Sequence, residues 1–423
     1  MKKIILLILV LVGAYFIYTK FLKSETKIPA KYYYEDLLTS IGDNTIEVNS
    51  FTIYGKYLNL KGDLPSDDGV YELVFKNNEE EIVMSSFTDS FNTNDYINDG
   101  INLEKLKQGE YIILLHNKTL NKYYNLINKT QYHDNVYYTI TKNNTNNKIT
   151  FKEENWSTYN FWVINISETE LPNDVYDIVI DPGHGGIDSG AGNGRYNEST
   201  FNLDYAKALK EVLEEEGLKV KLTRDSDIEI DHYGEGSRTG IPYEVKAKLM
   251  LSIHLNSSVY KAQSGVEIYK AYEDNNTYAK LLADNIVKYA NTKYSINTEN
   301  KVIDGVYMRV YSKENIKSLI NEAKRNGYEP YDFTNHETYY YFIRETGGIN
   351  THAFSDGRNP KYKANPYRNY NQGTEAYLCE LAYISNNDDL KNIINDKDGY
   401  IKALKLSILS YAEIVPKITD SNS

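Results

Sequence analysis

IVIDPGHGGIDSG, residues 178–190, is the stretch on which the fold turns. Ile178, Val179 and Ile180 run straight into Asp181-Pro182-Gly183-His184-Gly185-Gly186. An apolar strand therefore ends and hands over to a glycine-rich loop that carries one histidine. In open α/β sheets, ligands and catalytic groups collect outside the carboxyl ends of the strands. Glycines on both sides let the backbone turn tightly and let a large partner approach the imidazole. Taken alone, a hydrogen-bonded structural histidine explains the pattern almost as well.

The same design recurs downstream. In LMLSIHLNSS (249–258), Leu249, Met250, Leu251, Ile253 and Leu255 mark a second apolar strand, with His254 near its carboxyl end. A third, AYLCELAYIS (376–385), holds Glu380 among apolar residues, where a carboxylate costs several kcal/mol unless paired, protonated or near a metal. Between the first two, Asn197-Glu198-Ser199-Thr200 puts Glu198 just before a helix that begins near Phe201. Two neutral imidazoles and one carboxylate, with a position left for water, are a ligand set for catalytic zinc. A separate carboxylate beside the metal then serves as general base. An acidic residue near a helix N-terminus is also favourable for dipole reasons alone, which is the plain alternative for Glu198. Glu380 has no comparable alternative. His116, His133, His232, His336 and His352 lack such settings and read as surface or loop residues.

Residues 175 to about 415 resemble the zinc-dependent N-acetylmuramoyl-L-alanine amidase family, cell-wall hydrolases of the type-3 amidase fold. Four motifs carry the resemblance in order: IDPGHGG at 180–186, Asn-Glu-Ser at 197–199, SIHLN at 252–256 and CELAYISN at 379–386. LTRDSD at 222–227 also fits the family's pattern after the second strand. The resemblance implies that His184, Glu198 and His254 bind zinc, that Glu380 is the catalytic carboxylate, and that the substrate is peptidoglycan. Asn256, Arg358 and Arg368 are the expected substrate contacts. Arg238 keeps the family's distance of sixteen residues before the second histidine, but Pro242-Tyr243 replace the usual Ala-Asn, and Lys248 the usual Asp. A proline disturbs a helix passing through it, so the crossover before the His254 strand should start late.

With 423 residues, length favours two or more domains. A net charge of −12 argues against nucleic acid and anionic lipid as principal partners. The single cysteine, Cys379, excludes an intrachain disulfide framework; next to Glu380 on an alternating strand, it should face the other side. Lys2-Lys3 precede an almost wholly apolar run over residues 4–18, with Lys20 and Lys23 beyond it. A spanning helix wants ~20 such residues, and no small-residue cleavage site follows. The expectation is a single-pass cell-membrane anchor over residues 1–24, with the remainder outside, facing the wall.

Short segments rich in β-branched and aromatic residues (51–62, 70–77, 81–88, 109–117, 135–143), separated by Asn, Asp, Gly and Lys turns, predict an all-β antiparallel sandwich at 45–165, of immunoglobulin-like kind. It reads as a spacer, with a wall-binding or partner-binding module as the sharper alternative. A linker at 166–174 follows, then an α/β catalytic domain at 175–416 and a short tail at 417–423. In that domain the expectation is a mostly parallel twisted sheet flanked by helices, among them 200–216, 277–290 and 400–415. YYYFIRETGG (339–348) resembles the family's penultimate strand. The long Gly-, Asn- and Pro-rich loop at 347–375 is expected to border the active-site groove, and the helical piece at 313–327 is a second candidate for a lid.

The sequence thus reads as a membrane-anchored hydrolase that cuts the amide between N-acetylmuramic acid and L-alanine with zinc-activated water. A zinc peptidase acting on stem peptides and a non-catalytic wall-binding protein are the alternatives; a regulatory protein partner is left open.

Overall fold

Side-chain alternation along extended segments builds the first half of the molecule. On Gly109–Asn117, Tyr111, Ile113 and Leu115 enter one core while Ile112 and Leu114 enter another. This strand pairs antiparallel with Tyr71–Lys76, Lys122–Asn128 and Tyr159–Thr169, so it knits the region together. The larger core collects Phe51, Leu60, Phe75, Phe151 and Trp162, with Phe51 set edge-on to Trp162 at 5.1 Å between ring centroids. Each fully buried side chain of this size contributes roughly 1.5–3 kcal/mol relative to exposure. The computed structural model describes residues 38–417, apart from 40, 131–135, 157–158, 326–340, 354–365 and 368–369. The expected anchor therefore lies outside the described residues, and among those described no helix is long and apolar enough to cross a membrane.

The β-rich half departs from a purely antiparallel sandwich. Its strands form one hydrogen-bonded network of twelve, in which Thr45–Tyr54 runs parallel to Lys122–Asn128. The twelfth strand comes from far along the chain: Gln372–Gly373 pairs parallel with Ile53 and Tyr54. The expected boundary at 165 also moves. Tyr159–Thr169 continues to Thr169, paired with Asn146, because Ile166 is still buried against the core.

In the second half, the sheet order is Val220–Leu222, Ile178–Pro182, Leu249–Asn256, Glu375–Tyr383, Glu267–Tyr269, Val306–Tyr307, Lys301–Ile303. The first four strands are parallel. Glu267–Tyr269 joins antiparallel, which explains why only part of the sheet obeys the parallel pattern. The central strands are buried on both faces and so read as continuous apolar runs. Ile178, Ile180, Leu251 and Cys379 pack against helices Glu198–Glu215, Thr277–Tyr289 and Lys397–Tyr411. The first of these helices stops before Gly217, whose φ of 94° suits a residue without a Cβ.

Val179, Met250 and Leu378 face the other way, against Ile241 of the short helix Ile241–Glu244 and against Phe342 and Ile343. Pro242 sits in the first turn of that short helix, where its missing N–H is harmless, so the crossover does start late. Phe342 and Ile343 correct an expectation. The segment read as a penultimate strand is a helix over Tyr341–Gly347, continued by a 3-10 turn over Gly348–Thr351. A short apolar run fits strand and helix alike, and packing of these two side chains onto Met250 and Leu378 decides for the helix.

Candidate metal centre

The glycine loop is shaped before any ligand is considered. His184 has φ of 60°, a left-handed conformation that histidine tolerates better than most residues, and Gly186 follows at 62°. Gly183 carries no side chain for a steric reason: a Cβ there would lie 2.2 Å from Cε1 and Nε2 of His254. The loop is clamped from below by two buried arginines. Arg224 donates from Nε to the Pro182 carbonyl at 2.9 Å, and from Nη2 to the Gly183 and Ser199 carbonyls at 2.9 Å each. Arg238 donates to the Pro182 carbonyl at 2.8 Å and to the His184 carbonyl at 2.5 Å.

Asp181 anchors the second arginine. It accepts from Arg238 Nη1 at 2.6 Å, Thr223 Oγ1 at 2.5 Å and Ser252 Oγ at 2.6 Å. Burial alone would raise its carboxyl, but Arg238 and the two hydroxyls hold it down to about 2.

Above this floor His184, Glu198 and His254 converge, their ligand atoms all within 4.8 Å of one another. Glu198 Oε1 lies 3.1 Å from His184 Nε2 and 3.0 Å from His254 Nδ1. Donors around a tetrahedral metal bound at ~2.0–2.2 Å sit roughly 3.3–3.6 Å apart, so the set fits an ion of zinc's size and donor preference. Asp188 Oδ2 meets His184 Nδ1 at 2.7 Å, which fixes the ring and leaves Nε2 to face Glu198. Glu198 opens the helix Glu198–Glu215 and is positioned through its backbone N–H, bonded to the Ala191 carbonyl at 2.9 Å. Its carboxylate accepts further N–H bonds from Ala191 at 2.9 Å and Leu255 at 3.0 Å. Burial would raise this carboxyl; the two imidazoles hold it well below the usual range.

Glu380 stands beside His254 on the neighbouring parallel strand and beside Glu267 on the antiparallel one. Burial drives its carboxyl well above the ordinary value, repulsion from Glu198 and Glu267 adds to this, and Arg309 opposes it. Its Oε2 is buried and has no hydrogen-bond partner among the described residues. Glu267, by contrast, accepts from the hydroxyls of Tyr269 and Ser295 at 2.7 Å each, and from Tyr383. A groove of about 400 Å³ leads away from Glu380, lined by Asn256, Tyr260, Arg309, Asn315 and Tyr383 among others.

Of the expected site residues, His184, Glu198 and His254 come together, Glu380 adjoins them, and Asn256 lines the groove. Arg358 and Arg368 lie outside the described residues. The described ends of the 347–375 segment do not approach the metal-ligand cluster: Gln372–Gly373 joins the β-rich half, at the entry end of the strand Glu375–Tyr383. Site groups gather at the exit ends of parallel strands, so a loop leading into such a strand arrives at the opposite end. Asn315, in the helix Lys313–Arg325, does reach the groove. Asp188, Asp181 and Glu267 were missed as site residues. Asp181 and Asp188 left local signals, three residues before and four residues after His184, and Glu267 left none.

Residues 178–324 match the family model described as N-acetylmuramoyl-L-alanine amidase, a span that contains His184, Glu198 and His254 and ends before Glu380. The germination-specific N-acetylmuramoyl-L-alanine amidase of Bacillus subtilis is 32% identical over 149 residues, covering 31% of this chain and 60% of that protein. The probable cell wall amidase LytH of Staphylococcus saprophyticus is 32% identical over 146 residues, covering 33% of this chain and 47% of that protein. The chain thus spans about half to three-fifths of the length of these relatives. A solved structure of N-acetylmuramoyl-L-alanine amidase AmiC2 of Nostoc punctiforme shares 21% identity at a TM-score of 0.36, covering 57% of this chain and 98% of that one.

Proposed function

We propose, from the match of residues 178–324 to the N-acetylmuramoyl-L-alanine amidase family model, that this chain is a peptidoglycan hydrolase cutting the amide between N-acetylmuramic acid and L-alanine. The observation that carries the reading is the convergence of His184, Glu198 and His254 beside a carboxylate, Glu380, that lines a groove. Zinc suits two imidazoles and a carboxylate, and bound there it would supply polarisation of the scissile carbonyl and a water of pKa near ~7. The remaining work falls to the chain. Asp188 orients His184, while Arg224 and Arg238 hold the loop carbonyls in place. Glu380 takes the proton of the attacking water and returns it to the alanine nitrogen as the C–N bond breaks.

Digestion of purified cell wall tests this directly. The expected fragments carry a free alanine amino group and an intact lactyl carboxylate on the sugar. Stem peptides cut internally would favour the zinc peptidase instead, and wall binding without release of any fragment would favour a binding protein. The Lys-flanked apolar run at residues 4–22 supports a membrane anchor that keeps the enzyme outside, facing the wall. Recovery of the protein in the membrane fraction, with its first 24 residues retained, is the expected result; a soluble protein with a new N-terminus near residue 25–30 would contradict it.

A further inference from the structure

A cavity of about 780 Å³ at the junction of the two halves lies apart from the metal-ligand cluster. Its walls come from both halves and are tied together: Ile97 N donates to the Glu273 carbonyl at 3.3 Å, and Asn275 N to Asn98 Oδ1 at 2.8 Å. Each half contributes one exposed tyrosine, Tyr96 at 47% and Tyr272 at 50% of full exposure. The β-rich half also contributes two buried amides, Asn59 and Asn94, and the other half one, Asn350. Asn94 donates Nδ2 to the Tyr96 carbonyl at 2.9 Å, and Asn350 donates Nδ2 to the Ile53 carbonyl at 3.0 Å. With both NH2 groups engaged on backbone, the two Oδ1 atoms are fixed as acceptors, and both are buried without a partner among the described residues. Such acceptors are costly unless a donor reaches them. Lys61 and Lys270 against Asp95, Glu273 and Asp274 mix the charge of the lining, so no ion of either sign is strongly favoured.

Exposed aromatic faces plus rigid neutral acceptors suit a ligand with apolar faces and many O–H and N–H donors. We infer that this cavity binds a glycan segment of N-acetylated sugars, with pyranose faces on Tyr96 and Tyr272 and hydroxyl or acetamido N–H groups on Asn94 and Asn350. The cavity is continuous in sequence with the reaction groove. Val302 of the edge strand Lys301–Ile303 lines the cavity, and Asn300, just before that strand, lines the groove holding Glu380. The β-rich half is then part of the substrate surface, not a spacer. The inference rests on the amidase reading only for the polymer's identity.

The test uses the full chain and tetra-N-acetylchitotetraose, a β-1,4-linked N-acetylglucosamine tetramer without peptide or scissile amide, titrated by calorimetry. Saturable binding at millimolar concentration or below is expected. It should weaken about tenfold or more in Tyr96→Ala/Tyr272→Ala and in Asn94→Leu, with melting temperature and hydrolysis of a monomeric N-acetylmuramoyl peptide retained. No saturable binding by an active enzyme, or binding unchanged in both folded variants, would overturn the cavity's assignment. Displacement of the tetramer's heat signal by a lysine-containing stem peptide, with no dependence on the tyrosines, would also overturn it. Failure of the amidase reading shows separately, as loss of turnover in a wild-type chain that still binds the tetramer.

Discussion

The strand Glu375–Tyr383 buries a carboxylate toward each end, and the two have opposite surroundings. Glu375, at the entry end, accepts from the Tyr377 hydroxyl at 2.6 Å and Asn98 Nδ2 at 3.4 Å, deep in the contact between the two halves. Asp274 nearby accepts from the Tyr54 hydroxyl at 3.3 Å, so one hydroxyl and one amide from the β-rich half join Tyr377 in caging this end. Glu380, five residues on, opens onto a groove and faces the His254 cluster. Burial raises both carboxyls. The difference teaches that a perturbed buried acid is not by itself a mark of function. A place in the lining of a groove, with a ligand set beside it, distinguishes Glu380 from a carboxylate that fastens two parts of a fold.

The sharpest way to break that comparison is to neutralise each glutamate. Glu380→Ala should cut the rate of wall hydrolysis by ~10²–10⁴-fold, the usual contribution of a positioned acid-base group, measured as released amino groups. Equal losses in Glu375→Gln, with folding intact, would erase the distinction. Next in size is the floor of the site. Arg238→Ala strands the buried Asp181 charge and should cost about 3–5 kcal/mol in denaturant unfolding. In the intact chain, Asp181 contributes stability that is present above the ordinary carboxylate value of 3.8 and is lost as pH falls through about 2. An acid-unfolding limb in that window, absent from Asp181→Asn, is the expected signature.

A smaller effect is local. Gly183→Ala forces the His254 ring away from its Cβ, so zinc affinity should fall by roughly tenfold or more at little cost to the rest of the fold, read by competition with a chelator. Least of all, Glu375→Gln should leave turnover within about twofold and raise stability at neutral pH by roughly 1 kcal/mol, since an amide keeps the acceptor and sheds the buried charge. The sign follows from the raised carboxyl: it destabilises the folded chain where ionised, and that penalty disappears as pH falls towards the ordinary carboxylate range.

Much of the site was legible because its parts sit in short local patterns. An apolar run ending in Gly-His-Gly, a second ending in Ser-Ile-His, and a glutamate inside a third each betray a strand end before any contact is known. The helix Glu198–Glu215 announced its end through Gly217, but it begins at Glu198, a few residues before the expected start near Phe201. What stayed hidden depends on distant partners. Tyr341–Gly347 has strand-like composition and is helical because of what Phe342 and Ile343 pack against. Gln372–Gly373 is too short to show a period, and it finds its partner strand about 320 residues earlier in the chain. Glu267 acts on neighbours that the fold supplies, Ser295 and Tyr383. The cavity shared by the halves, with Tyr96 on one wall and Tyr272 on the other, has no counterpart in any single stretch of sequence.

The claim that three residues hold the metal while a fourth moves the proton is tested most directly by measuring zinc content and wall hydrolysis together in two purified variants. Glu380→Ala should keep one zinc per chain and lose nearly all turnover, whereas His254→Ala should lose both. Glu380→Ala hydrolysing wall at the wild-type rate, or His254→Ala retaining stoichiometric zinc, would contradict the account.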